Sequence, residues 1–275
     1  MTGAACWAGM ALDRPRIMAI LNITPDSFSD GGDFIDPDAA ITAGRAMAAA
    51  GADIIDVGGE STRPRTQPTP PDVEQARILP VIRGLASAGL RVSVDTRHAA
   101  TMAAALDAGA AIVNDVSGLG FDPASAALVA VRGCPVVLMH MRGDPTNMYT
   151  RATYDDVVRD VRRELAERIA AAERAGVASG QIAIDPGIGF AKRATQSIEL
   201  LRRLPELATL GYPILVGVSR KSFMAAITGE TEPRQRLPGS LAAGLFALSR
   251  GAAILRVHDV AETVQAVRLW QALST

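Results

Sequence analysis

Cysteine is scarce: Cys6 and Cys134 lie far apart in no C-x-x-C spacing, so neither a disulfide framework nor a zinc site is indicated, and a reduced, cytoplasmic setting is the default. Net charge is nearly absent as well. At −1, with a pI near 6.3, the chain has no global attraction to nucleic acid or to acidic membranes, so any anion must be met locally and small molecules become the expected partners. No apolar run is long enough to span a membrane. No basic stretch precedes the apolar residues of Met1 to Leu12, so residues 1–15 read as a short N-terminal extension. No low-complexity linker divides the rest of the chain. The nearest to one, Pro64-Arg65-Thr66-Gln67-Pro68-Thr69-Pro70-Pro71, is short and reads as a stiff or mobile lid within a loop.

What is present is apolar residue in quantity, 48% hydrophobic against 21% charged, arranged as short β-branched runs alternating with Ala/Leu-rich segments of helical period. The runs are Arg16–Ile23, Asp53–Val57, Arg91–Asp95, Ala111–Asp115, Pro135–His140, Gln181–Asp185, Pro213–Val218 and Ala253–Val257. Helices are predicted over Pro37–Ala50, Pro71–Ala88, Ala99–Ala108, Pro123–Val131, Tyr154–Ala175, Gln196–Leu210, Leu237–Ser249 and Ala261–Leu273. Three helices hand over to a strand through glycine, at Gly51, Gly109 and Gly251, as a left-handed cap permits. Eight βα units in roughly 250 residues are the length of a TIM barrel. The expected fold is therefore α/β, a single (β/α)8 TIM barrel over residues 16–275 with its active site at the C-terminal ends of the strands. A doubly wound open sheet is the fallback. In Tyr154–Ala175, Val157, Val158, Val161, Leu165, Ile169 and Ala172 form an apolar stripe, and the intervening Arg and Glu read as a solvated face.

The strands end on polar residues. Ile184-Asp185-Pro186-Gly187 delivers a carboxylate to the last turn of a strand and stops on Pro and Gly, where backbone can approach a ligand. Asn22, Asp95, Asn114, His140, Lys221, Arg256 and His258 occupy comparable positions, and a barrel brings such ends to one mouth. Two chemistries separate. Arg256 and His258, two apart, with Ser219-Arg220-Lys221-Ser222 after the seventh strand, suit an anionic group. Asp95, Asn114 and Asp185 are acceptors for a flat heterocycle rich in N–H donors. Asn22 opens a polar loop running to Gly31-Gly32, suited to a lid. Its single neutral oxygen would hold a metal only together with ligand phosphates and water. His140 reads as structural or pocket-lining.

Six stretches then carry a resemblance. Leu21-Asn22-Ile23-Thr24-Pro25-Asp26-Ser27-Phe28-Ser29-Asp30-Gly31-Gly32, Asp56-Val57-Gly58-Gly59-Glu60-Ser61-Thr62-Arg63-Pro64, Asn114-Asp115-Val116-Ser117-Gly118, Asp185-Pro186-Gly187-Ile188-Gly189-Phe190, Ser219-Arg220-Lys221-Ser222 and Arg256-Val257-His258-Asp259 resemble, in order, the bacterial dihydropteroate synthases. The resemblance implies a folate-pathway transferase that joins 6-hydroxymethyl-7,8-dihydropterin pyrophosphate to p-aminobenzoate with Mg2+ present, working as a homodimer and targeted by sulfonamides. It implies that Asp95, Asn114, Asp185 and Lys221 hold the pterin, that Arg63, Arg256 and His258 take the pyrophosphate, and that Asn22 lies near the metal. Thr62 and Ser222 would sit close to the aminobenzoate, with Met139 and Phe190 lining the pocket.

One departure concerns the second loop, where this chain has Arg65-Thr66 and a run of prolines in place of the family's common glycine. It bears on how the aminobenzoate or a sulfonamide is held. Two rival readings are a folate-dependent methyltransferase-type barrel, which needs no pyrophosphate clamp, and a non-catalytic pterin-binding paralogue, favoured only by the altered loop. An aldolase-type barrel is disfavoured because Lys221 follows a strand instead of lying inside one. Leu245, Phe246, Leu248, Val267, Leu269 and Trp270 suit either a subunit interface or ordinary packing.

Overall fold

In the computed structural model, which describes residues 6–24, 36–61 and 67–274, each β-branched run forms a strand. After a short hairpin of β1 (Cys6–Trp7) and β2 (Met10–Ala11), the sheet strands are β3 (Arg16–Asn22), β4 (Ile54–Gly58), β5 (Val92–Asp95), β6 (Ile112–Asp115), β7 (Val136–Met139), β8 (Ile182–Asp185), β9 (Leu215–Val216) and β10 (Ile254–Val257). The helices are α1 (Pro37–Ala49), α2 (Pro71–Ser87), α3 (Ala99–Asp107), α4 (Ser125–Arg132), α5 (Val157–Arg174), α6 (Ala194–Arg202), α7 (Pro205–Ala208), α8 (Ala225–Thr228), α9 (Leu237–Ser249) and α10 (Val260–Ser274).

Local chemistry accounts for the boundaries. Asp36 caps α1 by accepting from Asp38 N–H, and Asp156 caps α5 by accepting from Val158 and Arg159 N–H. Gly51, Gly109 and Gly251 all adopt positive φ, so the glycine hand-over from helix to strand is the left-handed turn expected of it. The segment expected to run as one helix from Gln196 to Leu210 divides instead into α6 and α7. Pro205 supplies no N–H to an ongoing helix and starts a new one at its first position.

The eight-stranded sheet has the order β8-β7-β6-β5-β4-β3-β10-β9, with each neighbouring pair parallel, and a parallel bridge from Ile184 to Ile214 joins its two edges. It is a (β/α)8 barrel, nearly closed, with that bridge between its edge strands. Pairing sets which side chains face inward. Asn22 pairs with Gly58, Gly58 with Asp95, Asp95 with Asn114, and Met139 with Asp185, so these residues share the inner face. Below them in the same column, Met18, Ile54, Ile112, Ala183 and Ile254 belong to one buried apolar cluster. Odd and even positions thus divide the strand residues between an outer layer under the helices and an inner column, apolar below and polar at the top.

The hairpin completes the column from beneath. Trp7 and Met10 are buried in the same cluster as the lower strand residues, and Trp7 Nε1–H donates to the Gln181 carbonyl at 2.8 Å. Arg16 ties the hairpin down by donating from Nε to Ala11 O at 2.8 Å. Asp53 accepts from Arg14 and Arg16 and from Ile17 N–H, joining the start of the barrel to β4. The first fifteen residues therefore include the floor of the barrel. Trp7→Ala should lower stability by about 3–5 kcal/mol, the usual cost of truncating a buried aromatic side chain. Chemical denaturation checks this, with an unchanged midpoint counting against the plug.

Candidate active site

At the top of the inner column one cation faces several acids. Arg256, at the end of β10, donates from Nε to Asp56 Oδ2 and from Nη2 to Asp95 Oδ2, each at 2.6 Å. Asp56 also accepts from Asn114 Nδ2 at 3.0 Å. Asp56 is fully buried, and among the described residues its second oxygen, Oδ1, has no hydrogen-bond partner. Burial raises the pKa of Asp95 to about 7, Arg256 pulling it down and Asp56 pushing it further up. Two carboxylates and a guanidinium thus share one low-dielectric space, and removing the cation would leave both acids uncompensated.

Asp185 lies on the same rim. Its Oδ1 accepts from Gly187 N–H at 2.7 Å, and burial lifts its pKa to about 6 against the opposing pull of Gly187 N–H, Lys221 and Arg256. Lys221 Nζ stands 3.9 Å above the centre of the Phe190 ring. Burial and the neighbouring Arg256 lower its pKa to about 8, with Asp185 and Asp95 acting in the other direction. The ring and the ammonium are held by unusual backbone. Ala191, just after Phe190, has φ +50°, and Arg220, just before Lys221, has φ +59°. Such left-handed residues cost about 1–3 kcal/mol each and persist only where the surroundings fix them. Arg220 is fixed by Asp259 Oδ2 at 3.1 Å, by donating its N–H to Ser240 Oγ at 2.9 Å, and by Arg236 Nη1 on its carbonyl at 3.0 Å.

His258 is held by Ser219, whose Oγ lies 3.0 Å from Nδ1 and accepts from His258 N–H at 3.2 Å. Burial, with Arg220 and Arg256 nearby, depresses the imidazole pKa to about 3. The ring is therefore neutral, and a bond from Ser219 O–H to Nδ1 leaves Nε2–H as a donor. Ser222 is exposed at the start of a short 3-10 turn, Ser222–Met224. Met139 packs with Val116, Met141, Met148 and Ala191, and Phe190 lies against that cluster. Asn22 lies close to Asp95 across Gly58, where an added Cβ would sit 3.6 Å from Asp95 Oδ2 and 3.7 Å from Asn22 Oδ1.

The structure therefore brings Asn22, Asp95, Asn114, Asp185, Lys221, Arg256 and His258 to one end of the barrel. Thr62, Arg63 and the Arg65-Thr66 departure lie outside the described residues, as does the loop from Pro25 to Gly32. The ends of the first of these segments are joined. Glu60 accepts from Thr69 N–H at 3.1 Å and from Arg97 at 2.8 and 3.0 Å, a buried ion pair between the loops after β4 and β5.

Two features of this end escape a sequence reading. Asp56 lies mid-run in Ile54-Ile55-Asp56-Val57-Gly58, and the signal for it was available: a charge inside an otherwise apolar strand needs a buried partner. Its partner is Arg256, which lies with the acids as part of their arc and not on a separate anion-binding arc opposite them. The second concerns the charges of α5, expected to be a solvated face. Glu164 and Arg168 turn inward instead. Arg168 donates to the carbonyls of Ser117, Met139 and Met141, and Glu164 accepts from His140 Nε2 at 2.9 Å and from Arg142 Nε at 3.1 Å. The carbonyls at the ends of β6 and β7 have no further strand to pair with, and a long guanidinium satisfies several at once. A cleft of about 580 Å³ lined by Met141, Arg142, Arg151, Glu164 and Arg168 opens beside this network, away from the carboxylate rim.

Comparison with known proteins agrees with this geometry. The family model described as pterin binding enzyme matches residues 18–258. The chain is 51% identical over 257 residues to a probable bifunctional folylpolyglutamate synthase/dihydropteroate synthase of Haloferax volcanii, covering 94% of this chain and 30% of that longer protein. It is 45% identical to a dihydropteroate synthase of Neisseria meningitidis serogroup C, covering 96% of this chain and 94% of that protein. Among solved structures, the dihydropteroate synthase of Xanthomonas albilineans, determined with 4-aminobenzoic acid, superposes with a TM-score of 0.92 at 48% identity, covering 98% of this chain and 97% of that one. With its barrel, its ordered motifs and a match that spans most of its length, this chain belongs to the pterin-binding enzyme family, and within it to the dihydropteroate synthases.

Proposed function

We propose that this protein joins 6-hydroxymethyl-7,8-dihydropterin pyrophosphate to p-aminobenzoate, giving 7,8-dihydropteroate and pyrophosphate, and that the rim of Asp95, Asn114, Asp185 and Lys221 holds the pterin. The observation that carries the reading is the single rim itself, acids and amide facing Lys221, Arg256 and His258 at one end of the barrel. Pterin N–H groups need ionised or amide acceptors, and Asp185, Asn114 and Asp95 supply them. Phe190 and Lys221 form a wall against which a flat ring stacks. In the reaction the carbon–oxygen bond at the pterin methylene breaks, its electrons leaving with pyrophosphate. A carbon–nitrogen bond forms from the aniline lone pair, and the amine proton is lost afterward. The electron-rich pterin delocalises the intervening positive charge, so the chain's task is to orient the neutral amine and receive the departing anion. A neutral His258 donating from Nε2, the Lys221 ammonium and the outward side of Arg256 suit that anion. Arg63, Thr62 and Ser222 are proposed to act with them, on the pyrophosphate and on the aminobenzoate.

Mg2+ is part of the proposal in a limited form. Among the described residues no group of three or more His, Cys, Asp or Glu converges to hold an ion, and Asn22 offers one neutral oxygen. This donor set fits an ion carried in on pyrophosphate oxygens and water, with Asn22 completing its shell. Bound there, it would draw charge off the leaving group. A homodimer is also proposed, supported by Phe246, Leu269 and Leu273 left exposed on α9 and α10. Two unpaired cysteines support a cytoplasmic setting, and no described helix is long and apolar enough to cross a membrane.

The reading is tested by pyrophosphate release that requires both p-aminobenzoate and the pterin substrate, and its absence from the wild-type chain would defeat the reading. Asp185→Asn should weaken a pterin with and without its pyrophosphate alike, by about 10-fold to 100-fold, the worth of a charge-assisted hydrogen bond. Arg256→Ala should cut kcat/KM by about 100-fold or more and weaken the pyrophosphate-bearing ligand more than the plain pterin. It should also cost stability, since Asp56 and Asp95 lose their cation. Calorimetry with both ligands reads the difference, and equal losses in the two variants would contradict it.

The acids set a pH dependence. Asp185 and Asp95 accept best when ionised, and their pKa values of about 6 and about 7 place the acid limb of pterin affinity between those two pH values, with binding weaker below. Lys221 loses its charge above about 8, which sets an alkaline limb for the anionic substrate. Dissociation constants measured from about pH 5 to about pH 9 should therefore show a plateau between the limbs, and Asp185→Asn should flatten the acid one.

A further inference from the structure

Behind the rim lies a buried group that the reaction does not use. Lys192 is 2% exposed and its ammonium has three neighbours: His140 Nδ1 at 2.9 Å, the Phe190 carbonyl at 2.9 Å and the His140 carbonyl at 3.3 Å. Burial lowers the Lys192 pKa well below the ordinary lysine value, and the three acceptors around Nζ, matched to the three N–H donors of the charged form, oppose that loss of the proton. His140 is fully buried, and its other nitrogen, Nε2, lies 2.9 Å from Glu164 Oε2, so the ring donates to Glu164 and accepts from Lys192. Burial and Lys192 hold the imidazole pKa down at about 3, which keeps the ring in that neutral, one-donor form.

The two carbonyls that Lys192 holds bracket the loop that carries Asp185 and Phe190. Gly187, at φ +66°, passes so close to His140 that an added Cβ would lie 2.0 Å from the His140 oxygen and 3.4 Å from Lys192 Nζ. That same Gly187 gives its N–H to Asp185. At the loop's far end, left-handed Ala191 has its carbonyl bound by Tyr154 O–H at 3.0 Å. Lys192 thus ties the end of β7 to the turn after β8 at the point where the acid rim and the Phe190 wall begin.

We propose that Lys192 is a positioning residue for the pterin half of the site: by clamping the His140 and Phe190 carbonyls on either side of Gly187, it fixes the orientation of the Asp185 carboxylate and the Phe190 ring. This role rests on the rim being the pterin site. Lys192 is 2% exposed and acts through the loop it holds, so its loss should appear in pterin affinity and leave the chemical step largely intact.

Lys192→Met keeps the apolar stem and removes the three donors. In steady-state assays its KM for the pterin substrate should rise about tenfold, with kcat changed less than threefold, and its calorimetric Kd for 6-hydroxymethylpterin should rise in parallel. A KM and Kd within twofold of wild type in a folded variant would overturn the proposal, as would a fall in kcat alone. Lys192→Gln, shorter and with two N–H donors in place of three, decides the matter if Lys192→Met does not fold. It should raise the pterin KM about threefold, and no change would overturn the proposal. An inactive wild type would refute the functional reading instead, so the two failures are distinct.

Discussion

The bond pair from Arg256 to Asp56 and Asp95 is the constraint on which the upper half of this barrel depends. Asp56 is fully buried and Asp95 and Arg256 are mostly so, and in that low-dielectric setting each charge is offset by the others. Asn114 adds a donor to Asp56, and Asp185 and Lys221 extend the balance around the rim. The site is therefore assembled in a charged but nearly neutral form before any ligand arrives. On the proposed reading of the rim as the pterin site, this is preorganisation, its acceptors being already oriented by their neighbours.

The same column explains why one fold can be both stable and reactive. Residues two apart on a strand point the same way, so the inward face of β4 reads Ile54, Asp56, Gly58 and that of β8 reads Ala183, Asp185. The lower layer is sealed by Trp7 and Met10 from a hairpin outside the repeating βα pattern, and the upper layer is left polar. Stability comes from below and function from above, with one turn of pleat between them.

Around this core, α5 does more than cover the sheet. Its apolar stripe packs on the barrel, while Glu164 and Arg168 reach over the strand ends to His140 and to the carbonyls of Ser117, Met139 and Met141. Lys192 continues the chain of contacts to Phe190. The left-handed residues Ala191 and Arg220 are held in place by such contacts, so the wall formed by Phe190 and Lys221 is fixed from outside the pocket.

By itself the sequence determined the barrel. Alternating periods of two and of 3.6 with glycine at the hand-overs are local properties, and the strands appear within a residue or two of where the pattern puts them, apart from β9, which keeps two residues of its run. It also named most of the rim, because polar residues that end apolar strands are visible in one dimension. Tertiary structure alone decided how those residues pair: that Arg256 joins the acids, that Asp56 is its partner, and that the charges of α5 turn inward. Each of these depends on distances between segments up to 200 positions apart, and such distances follow from the closure of the sheet and its register, which no local pattern records.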